Sequence, residues 1–314
     1  MSVAKATLLL PAAARFGGQQ PGVATARALG RADRRPQQQE GRREQLLRHF
    51  KLTPKHWPIA ALMRQAEAGD AAGACWLRAD PAHVRPDING ARLLACGEML
   101  ALDDSDRAAF LPALKPLFGD AGFELDAPSP SHWYLRLPRE AKLPEFTEPD
   151  DALGADLFDH LAEGSEGRRW RVLFGEAQVL LHNHPWNARR AAQGKPQVNS
   201  LWFWGGGVLP DAVRSPHAVA CSEDEPAHAL AHAAGIARPM PERFEACTND
   251  TVFDLQGARD LAKLDGEWLQ PACEALLRGE LTQLELDFAD GSGYALARGQ
   301  RWRLWRKPLP RLDA

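Results

Sequence analysis

Residues able to hold an anion gather in one stretch, LHNHPWNARRAAQGKPQVNSLWFWGGG, from Leu181 to Gly207. His184, Asn187 and Arg190 step by three, which on a helix puts an imidazole, an amide and a guanidinium on adjacent turns of one face. Beside the positive end of a helix dipole, such groups form a cradle for a phosphate or carboxylate. The plainer alternative is that His184 caps the helix while Arg189, Arg190 and Lys195 are solvated. Gly205, Gly206 and Gly207 follow the apolar run SLWFW, where a chain without side chains can approach a ligand closely or simply leave a strand by a tight exit. No phosphate-binding G-x-x-x-x-G-K-[ST] is present, and Pro210 comes too soon for the glycines to open a dinucleotide-binding helix.

Other constellations are thinner. His228 and His232 form an i, i+4 pair that could share a zinc ion with a third ligand, but the glutamate of H-E-x-x-H is missing and a surface pair is the simpler reading. DFADG, at residues 287–291, carries two carboxylates in what reads first as a hairpin turn. Arg298, Arg301, Arg303, Arg306, Lys307 and Arg311 interleave with Trp302 and Trp305, a mixture able to stack on bases and bind phosphates. In a mildly acidic chain the same mixture serves as an edge strand kept soluble by its cations. No G-x-S-x-G elbow and no kinase signature occurs.

The elements that must carry these groups follow from periodicity. Ala6 to Leu10 reads as a first strand, the polar GRADRRPQQQEGRREQ as a mobile loop, and Glu44 to Phe50 and Ile59 to Glu67 as helices, the second closed by Gly69. CWLRADPAHVRP, ARLLACGEML and SHWYLRLP read as strands around the capped helix DDSDRAAFLPALKPLFGDAG. In RRWRVLFGEAQVLLHNH, Trp170, Leu173, Phe174, Ala177, Leu180 and Leu181 share one helical face, and Pro185 starts a second helix ended by Gly194. VNSLWFW is a strand covered on both sides, HAVAC and EPAHALAHAAG repeat strand then helix, and LTQLELDFADGSGYALA is a hairpin turning at Asp290-Gly291. The expected fold is α/β: a mixed sheet with flanking helices plus a small inserted α+β unit. Expected regions are residues 1–72 (strand, mobile loop, helices), 73–145 (the α+β unit) and 146–314 (the α/β region with both motifs and the hairpin).

The totals agree with a globular protein: 314 residues, 45% of them hydrophobic, can bury a substantial core. A net charge of -3 provides no global field toward nucleic acid or an anionic membrane, so any basic patch must be local. Cys75, Cys96, Cys221, Cys247 and Cys273 form no C-x-x-C pair and read as reduced residues of a cytoplasmic protein. Pro11 interrupts an N-terminal apolar run already too short to span a membrane.

HPWNARRAAQGKPQVNSLWFWGGG resembles the H-P-x-N-x-x-R, G-K, N-[SA]-x-W-x-W-G-x-G pattern of the archaeal-type, cofactor-independent phosphoglycerate mutases of the alkaline phosphatase superfamily. The region from WLRADPAHV through SHWYLRL is similar to their inserted substrate domain. Over its length, with GEAQVLLHNHPWN and RWRLWRKPLP included, the chain resembles the RpfE-type regulatory proteins of bacteria, which are phosphoglycerate mutase-like. The resemblance implies a truncated alkaline-phosphatase-superfamily core and, in active members, a two-metal site that activates a serine. Here PAAARFGG follows the first strand with no aspartate at the family's metal-binding D-G, and no D-x-x-G-H follows NSLWFWGGG. The implied protein is regulatory or ligand-sensing and non-catalytic, without metal or cofactor. It would bind a phosphorylated or carboxylated metabolite, or a protein partner, through Arg78, His184, Asn187, Arg190 and Asn199 beside the three glycines, with His132 and Tyr134 as neighbours. The alternative is a divergent metal-dependent mutase or phosphatase with ligands among Asp80, Asp224, His228, His232 and Asp254. A third is nucleic-acid association through the C-terminal Arg/Trp segment; no membrane partner is expected.

Overall fold

Ala4–Leu10 forms a strand in which every residue but Lys5 is buried, as a strand flanked by parallel neighbours and covered on both faces must be. The computed structural model describes residues 4–88 and 90–313. The chain divides into two units, Met1–Lys55 with Asp211–Ala314, and His56–Pro210. The sequence boundaries at 72/73 and 145/146 therefore both fall inside the second unit.

In the first unit, Thr251–Asp254 and Leu281–Phe288 pair in parallel with the two edges of Ala4–Leu10. Val219–Cys221 and Ala237–Arg238 continue the parallel order on one side, while Gly293–Ala297 and Asp33–Arg34 add antiparallel strands on the other. The outcome is a mixed sheet of seven strands with flanking helices, the α/β class expected. Ala6, Leu8, Leu10, Leu284, Leu286 and Phe288 alternate onto one face, where they meet Trp268, Ala272 and Leu276 in a shared core. The helix Gln270–Arg278 supplies the last two and ends on Gly279 in the left-handed region.

The predicted mobile loop is held instead. The backbone N–H groups of Arg35, Gln38 and Gly41 donate to the carbonyls of Gly293, Gly291 and Ala289 at 2.9, 2.9 and 2.7 Å. Polar composition predicted a solvated loop, but this segment gains its order from backbone pairing with the hairpin turn, which composition does not encode.

In the second unit, Cys75–Asp87 is the organising strand. It pairs antiparallel with Gly90–Cys96 and Tyr134–Leu137 along one edge and with Ser200–Val208 along the other. Asp103 and Asp106 close a capping box at the start of Asp104–Asp120, a helix that tolerates Pro112 and Pro116. Gly164–His182 buries Trp170, Leu173, Phe174, Ala177 and Leu181, as the period predicts, and leaves Leu180 partly exposed. Trp170 stacks on Phe123 at 5.4 Å between ring centroids.

Two local expectations change here. The strand Ser200–Val208 runs through the three glycines rather than ending before them. Because its sheet is antiparallel, the rule that ligands gather at the carboxyl ends of parallel strands gives Gly205–Gly207 no special standing. The C-terminal Arg/Trp segment is not an edge strand: Gly293–Ala297 ends before it, and Arg298–Trp302 is a tight helical turn. Among the described residues no helix is long and apolar enough to cross a membrane.

Candidate functional site

The H-P-W-N-A-R-R residues reach inward. Asn187, 4% exposed, donates to the carbonyls of Leu181 and Val198 at 2.8 and 2.9 Å and accepts the Val198 N–H at 2.9 Å. Arg190, 1% exposed, pairs with Asp106 and donates to the carbonyls of Pro196 (2.9 Å) and Leu100 (2.6 Å). The Trp186 indole N–H adds a second bond to Asp106 at 2.7 Å, and Lys195 reaches Asp103 at 3.0 Å. His184 accepts the Trp186 N–H and packs on the Phe110 ring. In place of the expected cradle, the short helix Trp186–Ala192 clamps the capped start of Asp104–Asp120. Its donors serve buried protein acceptors because a buried guanidinium needs them.

Asn199 and Arg78 are committed in the same way. Asn199 accepts the Val84 N–H at 2.8 Å and donates to the Val84 carbonyl at 2.7 Å, imitating a neighbouring strand at the irregularity between His83 and Val84. Arg78, 2% exposed, donates to Asp80 at 2.8 Å and to the Tyr134 hydroxyl at 3.2 Å, its guanidinium lying over the Tyr134 and Trp204 rings. Asp80 also accepts from the Trp204 indole at 2.7 Å. Tyr134 donates to Glu67, which His132 contacts as well. The glycines admit protein rather than ligand: a Cβ on Gly205 would lie 2.5 Å from Ile59, one on Gly207 would lie 2.7 Å from Pro58, and one on Gly206 would meet Leu143.

An open site lies in the first unit, at the carboxyl ends of Val219–Cys221 and Thr251–Asp254, where a parallel sheet collects ligands. It is a cleft of about 680 Å³ whose wall includes Arg42, Arg259 and Lys263 against Glu223, Asp224, Glu242, Asp254, Asp260 and Glu267, over a floor with Met240, Leu255 and Trp268. Local chemistry positions its centre. Asp224 caps the helix Glu225–Ala233 by accepting the Ala227 N–H, and it pairs with Arg42 from the helix Arg42–His49. Asp254 accepts the Ser222 hydroxyl at 2.8 Å and the Gln256 N–H at 3.1 Å. Burial pushes the Asp224 carboxyl up to about 6, against the pull of Arg42 and with the help of Asp254. One carboxyl in this cleft thus takes up a proton under mildly acidic conditions.

A second polar cluster of this unit sits on the sheet face. Asp287 accepts both Arg48 donors (2.6 and 3.0 Å) and His49 Nε2 at 3.0 Å, while His49 Nδ1 meets His217 Nε2 at 2.9 Å. Burial raises the Asp287 carboxyl, but the bonds from His49 and Arg48 outweigh this and hold it low. With Asp287 ionised, His49 presents Nε2–H to it, and the contact between His49 Nδ1 and His217 Nε2 is bridged by a single proton. Burial, reinforced by His49, lowers His217 to about 4.

The donor set does not fit the two-metal centre of the active mutases. After Leu10 the chain offers Pro11 and a short helical turn, and the Leu10 carbonyl is taken by the amides of Gln45 and Gln256. Among the positions considered for metal, Asp224 and Asp254 line the cleft, Asp80 is buried in the second unit, and His228 and His232 are exposed on their helix. Among the described residues of this unit, no three His, Cys, Asp or Glu donor atoms converge as metal ligands do. Sequence spacing missed Arg42. The carboxylates carried a signal: SED directly after VAC and the terminal aspartate of TVFD put acids at two strand ends.

No family model matches the chain. Over 62 residues, 20% of this chain and 16% of the relative, it is 39% identical to the protein called "Probable 2,3-bisphosphoglycerate-independent phosphoglycerate mutase" in Geobacter sulfurreducens. Over 66 residues, 21% of this chain and 17% of the relative, it is 38% identical to the 2,3-bisphosphoglycerate-independent phosphoglycerate mutase of Methanosarcina barkeri. The chain thus spans about a sixth of the length of the curated relatives it matches. Among solved structures it is similar to a cofactor-independent phosphoglycerate mutase from Thermoplasma acidophilum, with 14% identity, a TM-score of 0.44, and coverage of 93% of this chain and 89% of that one. The proteins named in these similarities are phosphoglycerate mutases that work without a bisphosphoglycerate cofactor.

Proposed function

We propose that this chain is a cytoplasmic ligand-sensing or regulatory protein related to phosphoglycerate mutases, and that it binds a small phosphorylated or carboxylated hydroxy compound in the first unit's cleft without turning it over. The reading draws on the resemblance to RpfE-type regulatory proteins for its regulatory part. For the ligand it rests on one observation: Arg42 and Asp224 face each other in the wall of an open cleft at the carboxyl ends of parallel strands. Arg42, Arg259 and Lys263 would take the anionic group, and the carboxylates would accept hydroxyl hydrogens. An anion alone would be a poor fit, since acids outnumber cations along the wall. The mismatch with a metal centre supports binding over phosphotransfer.

The test is calorimetric titration of 3-phosphoglycerate into metal-stripped protein, beside a coupled mutase assay with and without manganese. Binding without turnover is expected, weakened roughly 10- to 100-fold by Arg42→Gln, the worth of one charge-assisted contact. Manganese-dependent turnover would replace this reading with that of a divergent mutase. Absence of both binding and turnover would sink the phosphoglycerate form of the proposal.

A further inference from the structure

The C-terminal Arg/Trp segment plays no part in the cleft, yet it is built to be seen. Trp302, Leu304 and Trp305 are 68%, 70% and 76% exposed, an apolar cluster within four residues. Both ends of the segment are fastened. Arg303 pairs with Asp33 and donates to the Arg31 carbonyl at 3.1 Å, Gln300 donates to Asp33 at 3.0 Å, and the Leu309 N–H donates to Ala26 at 2.8 Å with its side chain buried. The two indoles and the leucine are therefore presented by an anchored turn, not a loose tail. Arg306 and Lys307 are exposed beside them and make no ion pair among the described residues. Among the described residues, Asp33 is the one acid contacting the segment's Trp302–Lys307 stretch in an ion pair, and it is already held by Arg303.

We propose that Trp302, Leu304 and Trp305 dock on an anionic phospholipid surface, with Arg306 and Lys307 meeting its phosphates. The chemistry favours lipid over nucleic acid. Base stacking requires free ring faces, but Arg301 lies over the Trp302 ring at 4.9 Å and Leu304 between the indoles has no π-face. Indoles belong at the headgroup level and leucine at the acyl boundary, while cations are drawn to anionic headgroups. A second copy of the chain would bring like charges together around the same apolar cluster, which opposes self-association through this patch. The overall charge of -3 makes the attraction local, so it orients the protein rather than merely concentrating it at a surface.

Co-sedimentation of the full chain with phosphatidylcholine vesicles, with and without phosphatidylglycerol, tests this. Binding to the anionic vesicles alone is expected, falling as salt rises. Trp302→Ser with Trp305→Ser should abolish it, and Arg306→Gln with Lys307→Gln should weaken it about 30-fold, since each of the two cations near an anionic surface contributes about 1 kcal/mol. These side chains are exposed, so circular dichroism and urea unfolding should match the parent. No sedimentation with either vesicle, or sedimentation that survives loss of both indoles, overturns the proposal. Binding of oligothymidylate without vesicle binding, lost in the same double variant, would reassign the surface to single-stranded nucleic acid. A dimer dispersed by that variant, again without vesicle binding, would reassign it to a second copy.

Discussion

The molecule uses the arginine–aspartate pair in two ways. In the second unit, Arg190–Asp106 and Arg78–Asp80 are buried on both partners and further hydrogen-bonded by carbonyls, indoles and a phenol. In the first unit, Arg42 and Asp224 keep about a quarter of each side chain exposed, 25% and 24%, in the wall of a cleft. The same two residue types thus fix a scaffold where the surroundings are closed and keep part of each side chain exposed where one side is open. What separates the two settings is burial, not the pair.

The comparison breaks if the closed pairs prove dispensable. Arg190→Ala leaves the buried Asp106 with only the more distant Lys195, at 4.0 Å, as a cation among the described residues, an expected loss of about 3 kcal/mol in urea unfolding of the full chain. Arg42→Gln should cost less, about 1 kcal/mol, because Asp224 can take up a proton once its cation is gone, and should act on ligand affinity instead. A stable Arg190→Ala protein that had lost 3-phosphoglycerate binding would return the site to the H-P-W-N-A-R-R block.

Gly205 and Gly206 sharpen the same contrast on a smaller scale. At Gly205 φ is +70° and a Cβ would press on Ile59 Cγ2 and the backbone of Ala60, so Gly205→Ala should destabilise by about 2–3 kcal/mol. At Gly206 the obstacles are the ends of the Leu143 and Leu77 side chains rather than backbone, and Gly206→Ala should cost about 1 kcal/mol. Equal and negligible losses would mean that the glycines leave room for something other than protein.

Much of the scaffold was legible because local pattern and tertiary packing agree. The three- and four-residue steps of Trp170 to Leu181 became a buried helix face, Asp103 and Asp106 became a capping box, and Asp290-Gly291 turned the hairpin. The site was far less legible. A helical step of three puts Asn187 and Arg190 on one face whether that face meets a ligand or Asp106, and Asp106 lies 84 residues away in sequence. Arg42 meets Asp224 only because the chain returns to complete the first sheet after the second unit. Composition failed at residues 35–41 for the same reason, since the backbone donors that order them find their acceptors across the sheet edge. Residue spacing reports faces; the partner of each face is set by long-range topology.

The open pair can also be probed through pH. Asp224 in the fold binds its proton with a value of about 6 against about 3.9 in an unfolded chain, so its contribution to stability is full below pH ~4 and is lost as pH rises through about 6. His217 has the opposite sign. Held at about 4 against about 6.5 unfolded, it contributes fully above pH ~6.5 and loses that contribution as pH falls toward 4. The two terms oppose each other between pH ~4 and ~6.5, so the parent should show little net slope from them. Asp224→Asn should expose the histidine term, making stability relative to the parent rise with pH across that window by about 1–2 kcal/mol, and His217→Asn should make it fall by a similar amount. Unfolding free energies measured from pH 4 to 7 on the three proteins decide it. A curve for Asp224→Asn parallel to the parent's would mean that Asp224 titrates as an ordinary surface carboxylate. The contrast between a closed scaffold pair and a responsive cleft pair would then lose its electrostatic half, leaving ligand affinity as the only ground on which the two could differ.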